Sequence, residues 1–201
     1  MLSENINTSQ EVSFSAKIKE ELACHWTEAR HCQIAELTAI ISMCGRVTID
    51  SRERYAVKVK TENISVARKY FTLLKKTFNI EAGAKIDAPK VQEIYHKFGD
   101  LNKPVNPLLV KNSCCQRAFL RGAFLSIGSI SDPEKGYHLE LVCTQEEKAK
   151  QLQEIMLNFE IESKMVMRKK YYVVYLKEGK AIVELLNVME AHIALMNLEN
   201  L

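Results

Sequence analysis

Six stretches of the chain have apolar residues three or four positions apart, the spacing that predicts an amphipathic helix. In the first stretch, Ile18 and Leu22 share a face with Phe14, and Ser15 is placed to cap the helix. The second stretch ends at Gly45, because glycine commonly follows the last helical residue. The predicted helices cover residues 15–26, 31–44, 66–80, 113–127, 145–159 and 179–198.

Apolar and polar residues alternate between these helices, and this pattern predicts half-buried strands. The strands pair into hairpins formed by residues 46–51 with 54–60, 82–88 with 91–97, 129–131 with 137–143, and 163–169 with 171–177. The order helix, two strands, helix, two strands therefore occurs twice. We predict a disordered tail over residues 1–12, a first half over 13–98, a linker over 99–112, and a second half over 113–201 closed by the last helix.

A sequence repeat supports this division into halves. Residues 32–47 read CQIAELTAIISMCGRV and residues 115–130 read CQRAFLRGAFLSIGSI, 83 positions later. Such a repeat indicates a duplicated unit, and small residues four apart leave a flat stripe on each helix. Two flat stripes allow helix axes to approach at the short end of the usual range. The residues predicted to pair the helices are Ala35, Ala39, Gly45, Ala118, Gly122 and Gly128.

The pairing predicts the fold: an α+β protein of two pseudo-symmetric αββαββ repeats, with paired central helices under a saddle of antiparallel strands. The alternative is that each small stripe packs only on the sheet of its own half. The matched spacing in both halves favours pairing across a pseudo-twofold axis.

Composition narrows the class of protein only slightly. With 201 residues and 47% hydrophobic content, the chain can bury one core or two halves that share one. A net charge of +3 permits DNA binding without arguing for it. Six cysteines without paired CxxC spacings indicate reduced thiols, and the polar start lacks a signal segment. We therefore expect a cytoplasmic protein without membrane contact.

The two glycine-ended helices resemble a known motif. Residues 37–45 and 120–128 lie over the nine letters of LAGLIDADG. The chain also resembles the WhiA family of bacterial transcriptional regulators. The matching stretches are SFSAKIKEEL at 13–22, CQIAEL at 32–37, CCQRAFLRGAFLSIGSISDPEKGYHLE at 114–140, YYVVYLKEG at 171–179 and AHIALMNLEN at 191–200.

The resemblance implies a homing-endonuclease-like domain that has lost its nuclease and is joined to a C-terminal helix-turn-helix reader. We expect this chain to stop where the linker to that reader begins, so that the reader is absent from it. The implied function is control of sporulation and cell division by a nucleoid-associated regulator. The implied partners are double-stranded DNA, mainly through the absent reader, and other transcription regulators, with no cofactor and a monomeric state. The alternative function is a protein-interaction or sensing module that regulates the reader without binding DNA itself.

The motif positions of the catalytic acids argue against nuclease activity. An active enzyme of this fold holds metal ions with one carboxylate at the end of each paired helix. The eighth motif letter is that acid, and here it is Cys44 in one copy and Ile127 in the other. The acidic residues Glu36, Asp50 and Asp132 do not lie at the paired helix ends in the predicted fold. We therefore predict no catalytic residues and no bound metal.

Basic residues are concentrated on the predicted strands. Arg54, Lys58 and Lys60 share strand parity and so face one side of the sheet, which lies in the DNA groove in the resembled endonucleases. The alternative is an ordinary solvated face, because Glu53, Asp87, Glu93 and Glu140 lie on or near the same surface. The candidate DNA-binding residues are Arg46, Arg52, Arg54, Lys58, Lys60, Lys85, Lys164, Arg168, Lys169 and Lys170.

Four residues have the side chains of metal ligands: Cys24, His25, His31 and Cys32. On one continuous helix, Cys24 and His31 would lie about 10 Å apart along the axis, too far to share one ion. A bend near residues 26–28 would bring them together, but we favour a structural role. Cys44 is expected to be an inert thiol, because apolar neighbours raise a thiol pKa.

Overall fold

The computed structural model describes residues 12–49, 55–80, 103–132 and 136–199. The helices are α1 Phe14–Cys24, α2 Arg30–Cys44, α3 Ile64–Phe78, α4 Ser113–Ile127, α5 Glu146–Leu157, α6 Gly179–Val188 and α7 His192–Glu199, with a short 3₁₀ helix at Pro107–Val110. The strands are β1 Gly45–Ile49, β2 Tyr55–Val59, β3 Gly128–Ile130, β4 Leu139–Cys143, β5 Lys164–Arg168 and β6 Tyr171–Leu176. The strands predicted at 82–88 and 91–97 lie outside the described residues. Within the described ranges, no helix is long and apolar enough to cross a bilayer.

The residue that caps α1 lies two positions before the predicted one. Ser13 caps the helix, since its Oγ accepts a hydrogen bond from the Ala16 backbone N–H at 3.2 Å. Ser15 lies inside the first turn, and its Oγ accepts instead from the Ile130 N–H at 3.4 Å. Both serines fit the capping pattern, and the position of the first turn decides between them. As predicted, Ile18 and Leu22 are buried on one face of α1.

The central helices α2 and α4 pair across the two halves. Cys32 and Ala35 from α2 form one buried apolar cluster with Cys115 and Ala118 from α4. A side-chain carbon on Gly122 would lie 2.5 Å from the Glu36 backbone oxygen, so the two backbones approach closely there. The alternative, in which each stripe of small residues packs only on its own sheet, does not describe this fold.

The strands form two antiparallel sheets. The second half has four strands in the order β3-β4-β6-β5, and the described strands of the first half are the pair β1-β2. Along β4, Leu139, Leu141 and Cys143 are buried towards the helices, so Glu140 and Val142 face away from them. This alternation identifies the outer face of each sheet by register.

The closing helix predicted over 179–198 is interrupted, and that prediction was wrong. Helix α6 ends where Glu190 adopts a left-handed conformation with φ 68°, and α7 begins two residues later. The Ala191 N–H donates to the Leu186 carbonyl at 2.9 Å, which terminates α6. The Glu21 carboxylate accepts from the N–H groups of Ile193 and Ala194 and so caps α7.

The described part of the predicted linker is packed against the second half. Val105 and Val110 are buried in the main core. The Gln151 side-chain amide from α5 bonds both ways to the Val105 backbone, accepting at 2.9 Å and donating at 2.7 Å. The segment between the halves is therefore held by hydrogen bonds as well as by apolar contacts.

Candidate nucleic-acid interface and the ends of the paired helices

The paired helices end in a thiol and an aliphatic side chain. Cys44 is the last residue of α2 and Ile127 the last of α4, and each is followed by a glycine with extended backbone. A side-chain carbon would lie 2.3 Å from the Ile41 oxygen at Gly45, and 2.4 Å from the Phe124 ring at Gly128. Glycine is needed at both positions because the preceding turn is too close for a side chain.

A cleft of about 490 Å³ opens beside these helix ends. Its lining includes Lys19, Lys60 and Glu62, together with Ser126 at the end of α4 and Ser129 in β3. Lys60 comes from the first half and Ser129 from the second, so the two halves meet at the cleft. Burial lowers the pKa of Lys19, an effect that its nearness to Cys44 opposes. With two lysines and one glutamate, the cleft has a net positive charge.

Cys44 behaves as the sequence indicated. Burial raises the pKa of its thiol, while Ser126 and Lys19 lower it by less. The Sγ donates to the Ile40 carbonyl at 3.2 Å. The thiol is therefore protonated near neutral pH, which makes it a poor nucleophile.

Glu36 is the acidic residue of the central helix pair, and it is enclosed by cations. Its Oε1 lies 3.1 Å from Lys69 Nζ and 3.1 Å from Arg121 Nε. All three side chains are 2% exposed or less. Arg121 Nη1 also contacts Glu190 Oε2 at 2.7 Å, and His25 Nε2 lies 3.0 Å from the same oxygen. Glu36 Oε2 accepts from Arg121 Nη2 at 3.4 Å, so this buried ion network crosses from α2 to α4 and engages both oxygens of Glu36.

The candidate DNA-binding residues of the first half that the structure describes lie on the outer face of β1 and β2 or directly after it. Arg46 is directly opposite Lys58 in the antiparallel register, and both side chains are exposed. Their neighbour Val59 packs against the first-half core, so Arg46 and Lys58 face away from the helices. Lys60 continues this edge and is exposed as well. Three further candidates, Arg52, Arg54 and Lys85, lie outside the described residues.

In the second half, Lys164 and Arg168 lie on the outer face of β5. They pair with Tyr175 and Tyr171 of β6, so the two basic and two aromatic side chains share one face. Glu140 lies on the same face and contacts Arg168 Nη1 at 2.8 Å. Lys169 and Lys170 occupy the exposed turn after β5. We call the outer faces of the two sheets together the saddle face.

Aromatic and histidine contacts on the saddle face were not all predicted. His138 Nε2 lies 3.2 Å from Glu140 Oε2, and its ring is 6.0 Å from that of Tyr175, so this histidine has a structural role. The tyrosines were missed as surface residues because an alternating apolar strand predicts burial equally well. Lys170 lies over the Tyr171 ring and Lys177 over the Tyr175 ring, each at 5.5 Å.

The four candidate metal ligands of the first half do not gather. His25 contacts Glu190, and Cys24 is an exposed residue at the end of α1. His31 and Cys32 instead lie beside Cys114 and Cys115 at the start of α4, with ligand atoms within 4.8 Å of one another. Sequence reasoning missed this grouping, although the 83-residue repeat places residues 31 and 32 opposite 114 and 115.

Two glycine-ended helices paired beneath antiparallel sheets define a protein of the LAGLIDADG fold. Two family models match the chain: the WhiA N-terminal LAGLIDADG-like domain over residues 30–93, and the WhiA LAGLIDADG-like domain over 116–201. A relative called "Probable cell division protein WhiA" in Lachnoclostridium phytofermentans is 47% identical, with 94% of this chain and 68% of the relative covered. A relative of the same name in Alkaliphilus oremlandii is 42% identical over the same shares. The chain therefore belongs to the WhiA family.

Solved structures show the same fold. The crystal structure of full-length DUF199/WhiA from Thermatoga maritima matches with a TM-score of 0.73 at 22% identity, over 94% of this chain and 65% of that one. The N-terminal LAGLIDADG domain of DUF199/WhiA matches at 0.66 and 24%, over 89% and 91%. A variant of I-DmoI in complex with its target DNA matches at 0.59 and 12%, over 82% and 98%.

Proposed function

We propose that this chain is a non-catalytic, DNA-contacting domain of a WhiA-type transcriptional regulator in sporulation and cell division control. The observation that carries the proposal is the pair Arg46 and Lys58, which stand opposite each other, exposed, on the saddle face. Two cations in register at one sheet position suit neighbouring backbone phosphates.

The second half supports the same proposal. Lys164 and Arg168 have their strand's parity on the saddle face, and the cleft between the halves adds Lys19 and Lys60. A homing endonuclease of this fold, I-DmoI, has been solved with its target DNA. We infer that the saddle face here contributes phosphate contacts, and that sequence reading belongs mainly to the C-terminal reader that the family resemblance implies. We also infer that the regulator acts at the nucleoid.

We infer that the domain does not cut DNA. The described helix ends present Cys44 and Ile127 where a nuclease of this fold would present metal-binding carboxylates. Lys19 lies near Cys44, and an ammonium group there opposes a divalent cation. Glu36 is held by Lys69 and Arg121. The test is incubation with supercoiled plasmid and Mg²⁺, for which no nicking is expected, and magnesium-dependent nicking would contradict the inference.

DNA contact is tested by an electrophoretic shift with duplex DNA over a series of salt concentrations. If the saddle face makes about six phosphate contacts, affinity falls about a thousandfold between about 50 and 200 mM salt. A measurable shift at low salt that disappears at high salt supports the proposal. No binding at the lowest salt, with the protein folded by circular dichroism, contradicts it.

A protein-interaction role is the second candidate function. An apolar groove of about 340 Å³ lies between α1 and α7, and Ile193 in its lining is more than half exposed. In this second candidate function the groove holds the C-terminal reader that the family resemblance implies. This candidate predicts that Ile193→Ser abolishes binding to a separately produced C-terminal domain while DNA binding is unchanged. An Ile193→Ser protein that still binds that domain would remove it.

A further inference from the structure

The N-terminal ends of the paired helices bring four metal-ligating side chains together. His31 and Cys32 lie in the first turn of α2, and Cys114 and Cys115 lie in the first turn of α4. The imidazole nitrogen and the three Sγ atoms are all within 4.8 Å of one another. The pseudo-twofold axis explains the meeting, because residues 31 and 32 are the repeat equivalents of 114 and 115.

The distances approach those of a tetrahedral zinc site. With Zn–S bonds of about 2.3 Å, ligand atoms in such a site stand about 3.8 Å apart. The Cys114 Sγ to His31 Nε2 distance is 3.5 Å. A contraction of about 1 Å in the longest separations would give each ligand a bond of normal length. Side-chain rotation supplies a shift of this size.

The chemistry of the ligand set is also selective. Three thiols and one imidazole form a soft donor set that suits Zn²⁺ and does not suit Mg²⁺, which prefers oxygen ligands. Cys32 and Cys115 are buried, whereas His31 and Cys114 are exposed. An ion can therefore enter from solvent and bind at a site that is partly shielded from it.

We propose that His31, Cys32, Cys114 and Cys115 bind one zinc ion in a closed four-coordinate site that joins the two halves of the domain. On binding, the three thiols give their protons to solvent and form three Zn–S bonds, and His31 coordinates through one ring nitrogen. The site lies at the opposite end of the helix pair from Cys44 and Ile127, about 20 Å away by helix rise. The bound ion would cross-link the paired helices as a structural metal site, and it takes no part in DNA contact.

The test is titration of the reduced 201-residue chain with Co²⁺, followed by displacement with Zn²⁺. One equivalent of Co²⁺ is expected to give the intense visible bands of tetrahedral cobalt and the sulfur-to-cobalt charge-transfer band. Zn²⁺ added to the cobalt-loaded chain then removes both bands. In a separate experiment, Zn²⁺ added to the metal-free chain is expected to release about three protons per ion.

Variants locate the ion. Cys114→Ser and His31→Asn alter exposed ligands, so the fold is retained. Changes to residues that only orient a ligand weaken metal binding roughly 10–100-fold, and the loss of a ligand in either variant should weaken zinc binding by more than that. Cys24→Ser removes an exposed thiol outside the cluster and serves as the matched control, with unchanged affinity expected.

Several results would overturn the proposal. These are the absence of tetrahedral cobalt bands at one equivalent, or an affinity in Cys114→Ser equal to that of the control. The third result is a disulfide among these cysteines in protein isolated without reductant, together with no metal uptake after the disulfide is reduced. Mass spectrometry detects the disulfide as a loss of about 2 Da, because forming one bond removes about two hydrogen atoms. Each readout is independent of DNA, so failure of the saddle proposal would not affect it.

Discussion

The two halves of this domain differ in charge at matched, solvent-facing positions of their described strands. Arg46 opposes Lys58 in the first half, and the positions one repeat later, in the same register of β3 and β4, hold Ser129 opposite Glu140. The first pair has two positive charges and the second has one negative charge. By contrast, the helix-contact positions stay small in both halves, with Ala35 answered by Ala118 and Ala39 by Gly122. The close contact between the helices requires small residues at these positions, whereas the solvent-facing strand positions of the two halves carry different charges.

The buried ion network shows a second asymmetry. Glu36 in α2 corresponds to Phe119 in α4, and Arg121 in α4 corresponds to Thr38 in α2. One half supplies the acid and the other the base, so the pair Glu36–Arg121 exists only when the halves are together. A duplicated scaffold can thus acquire contacts that make its halves interdependent.

Removing the charge of Arg121 should cause the largest loss of stability among the variants. Arg121→Met leaves Glu190 without its closest cation and Glu36 with Lys69 alone, so we expect the free energy of unfolding in urea to fall by about 3–5 kcal/mol. Lys150→Met breaks the exposed Lys150–Glu146 pair and should cost far less, because solvent screens an exposed ion pair. Equal losses in the two variants would show that the buried network does not couple the halves.

Filling the close helix contact should have the next largest effect. In Gly122→Ala the new methyl group would lie 2.5 Å from the Glu36 oxygen and 2.9 Å from the Ala39 methyl, so the helices must separate. We expect a loss of about 1–3 kcal/mol in the same unfolding experiment. Gly179→Ala is the matched control, because its methyl would meet only the Tyr137 ring at 3.7 Å, an ordinary contact. A stable Gly122→Ala protein would mean that the pairing tolerates wider spacing.

Changing the acidic position of the saddle face should have a smaller effect, on DNA affinity. Glu140→Gln releases Arg168 and His138 from their shared carboxylate and should raise affinity about two- to fivefold, the size of one exposed ion pair. Fluorescence anisotropy with a labelled duplex measures it. Glu147→Gln makes the same charge change at an exposed position of α5, outside the strands of the saddle face. If DNA affinity rises equally in both variants, the change in net charge alone is responsible for the increase.

The smallest expected effect concerns pH. Burial lowers the pKa of His25, as does the nearby Arg121, while Glu190 opposes the shift. The folded chain therefore binds a proton less readily than the unfolded chain does, so the His25 contribution to stability is present above pH about 6.5 and is lost as the pH falls below it. Urea unfolding between about pH 7.5 and 5.5 should show a weaker pH dependence in His25→Gln than in the original protein. An identical dependence would contradict this assignment.

The fold could be predicted largely from the sequence because its main signals are local or repeated. Helical spacing, strand alternation and the 83-residue repeat together indicated the paired helices and the described strands. The break at Glu190 could not be predicted, because neither glycine nor proline marks it and the carboxylate is held by Arg121, which is 69 residues away. Ser13 and Ser15 both fitted a cap, and only the packing of Ser15 against Ile130 distinguishes them.

The candidate sites were less accessible to sequence reasoning. Spacing along the chain groups His31 and Cys32 with Cys24 and His25. The structure groups them with Cys114 and Cys115, whose proximity depends on the pairing of the helices. The alternation of residues along the strand predicted that the basic side chains of the first half share one face. The contact of Glu140 with Arg168, which neutralises a charge, could not be predicted without the order of the strands.

The salt dependence of DNA affinity in an Arg46→Ser, Lys58→Ser double variant tests the central claim most directly. If these two side chains contact phosphates, the slope of log affinity against log salt becomes shallower by about 1.8, since each phosphate that is no longer neutralised reduces it by roughly 0.9. We predict that change together with an unaltered free energy of unfolding. An unchanged slope in the folded variant would show that the saddle face of the first half does not hold DNA.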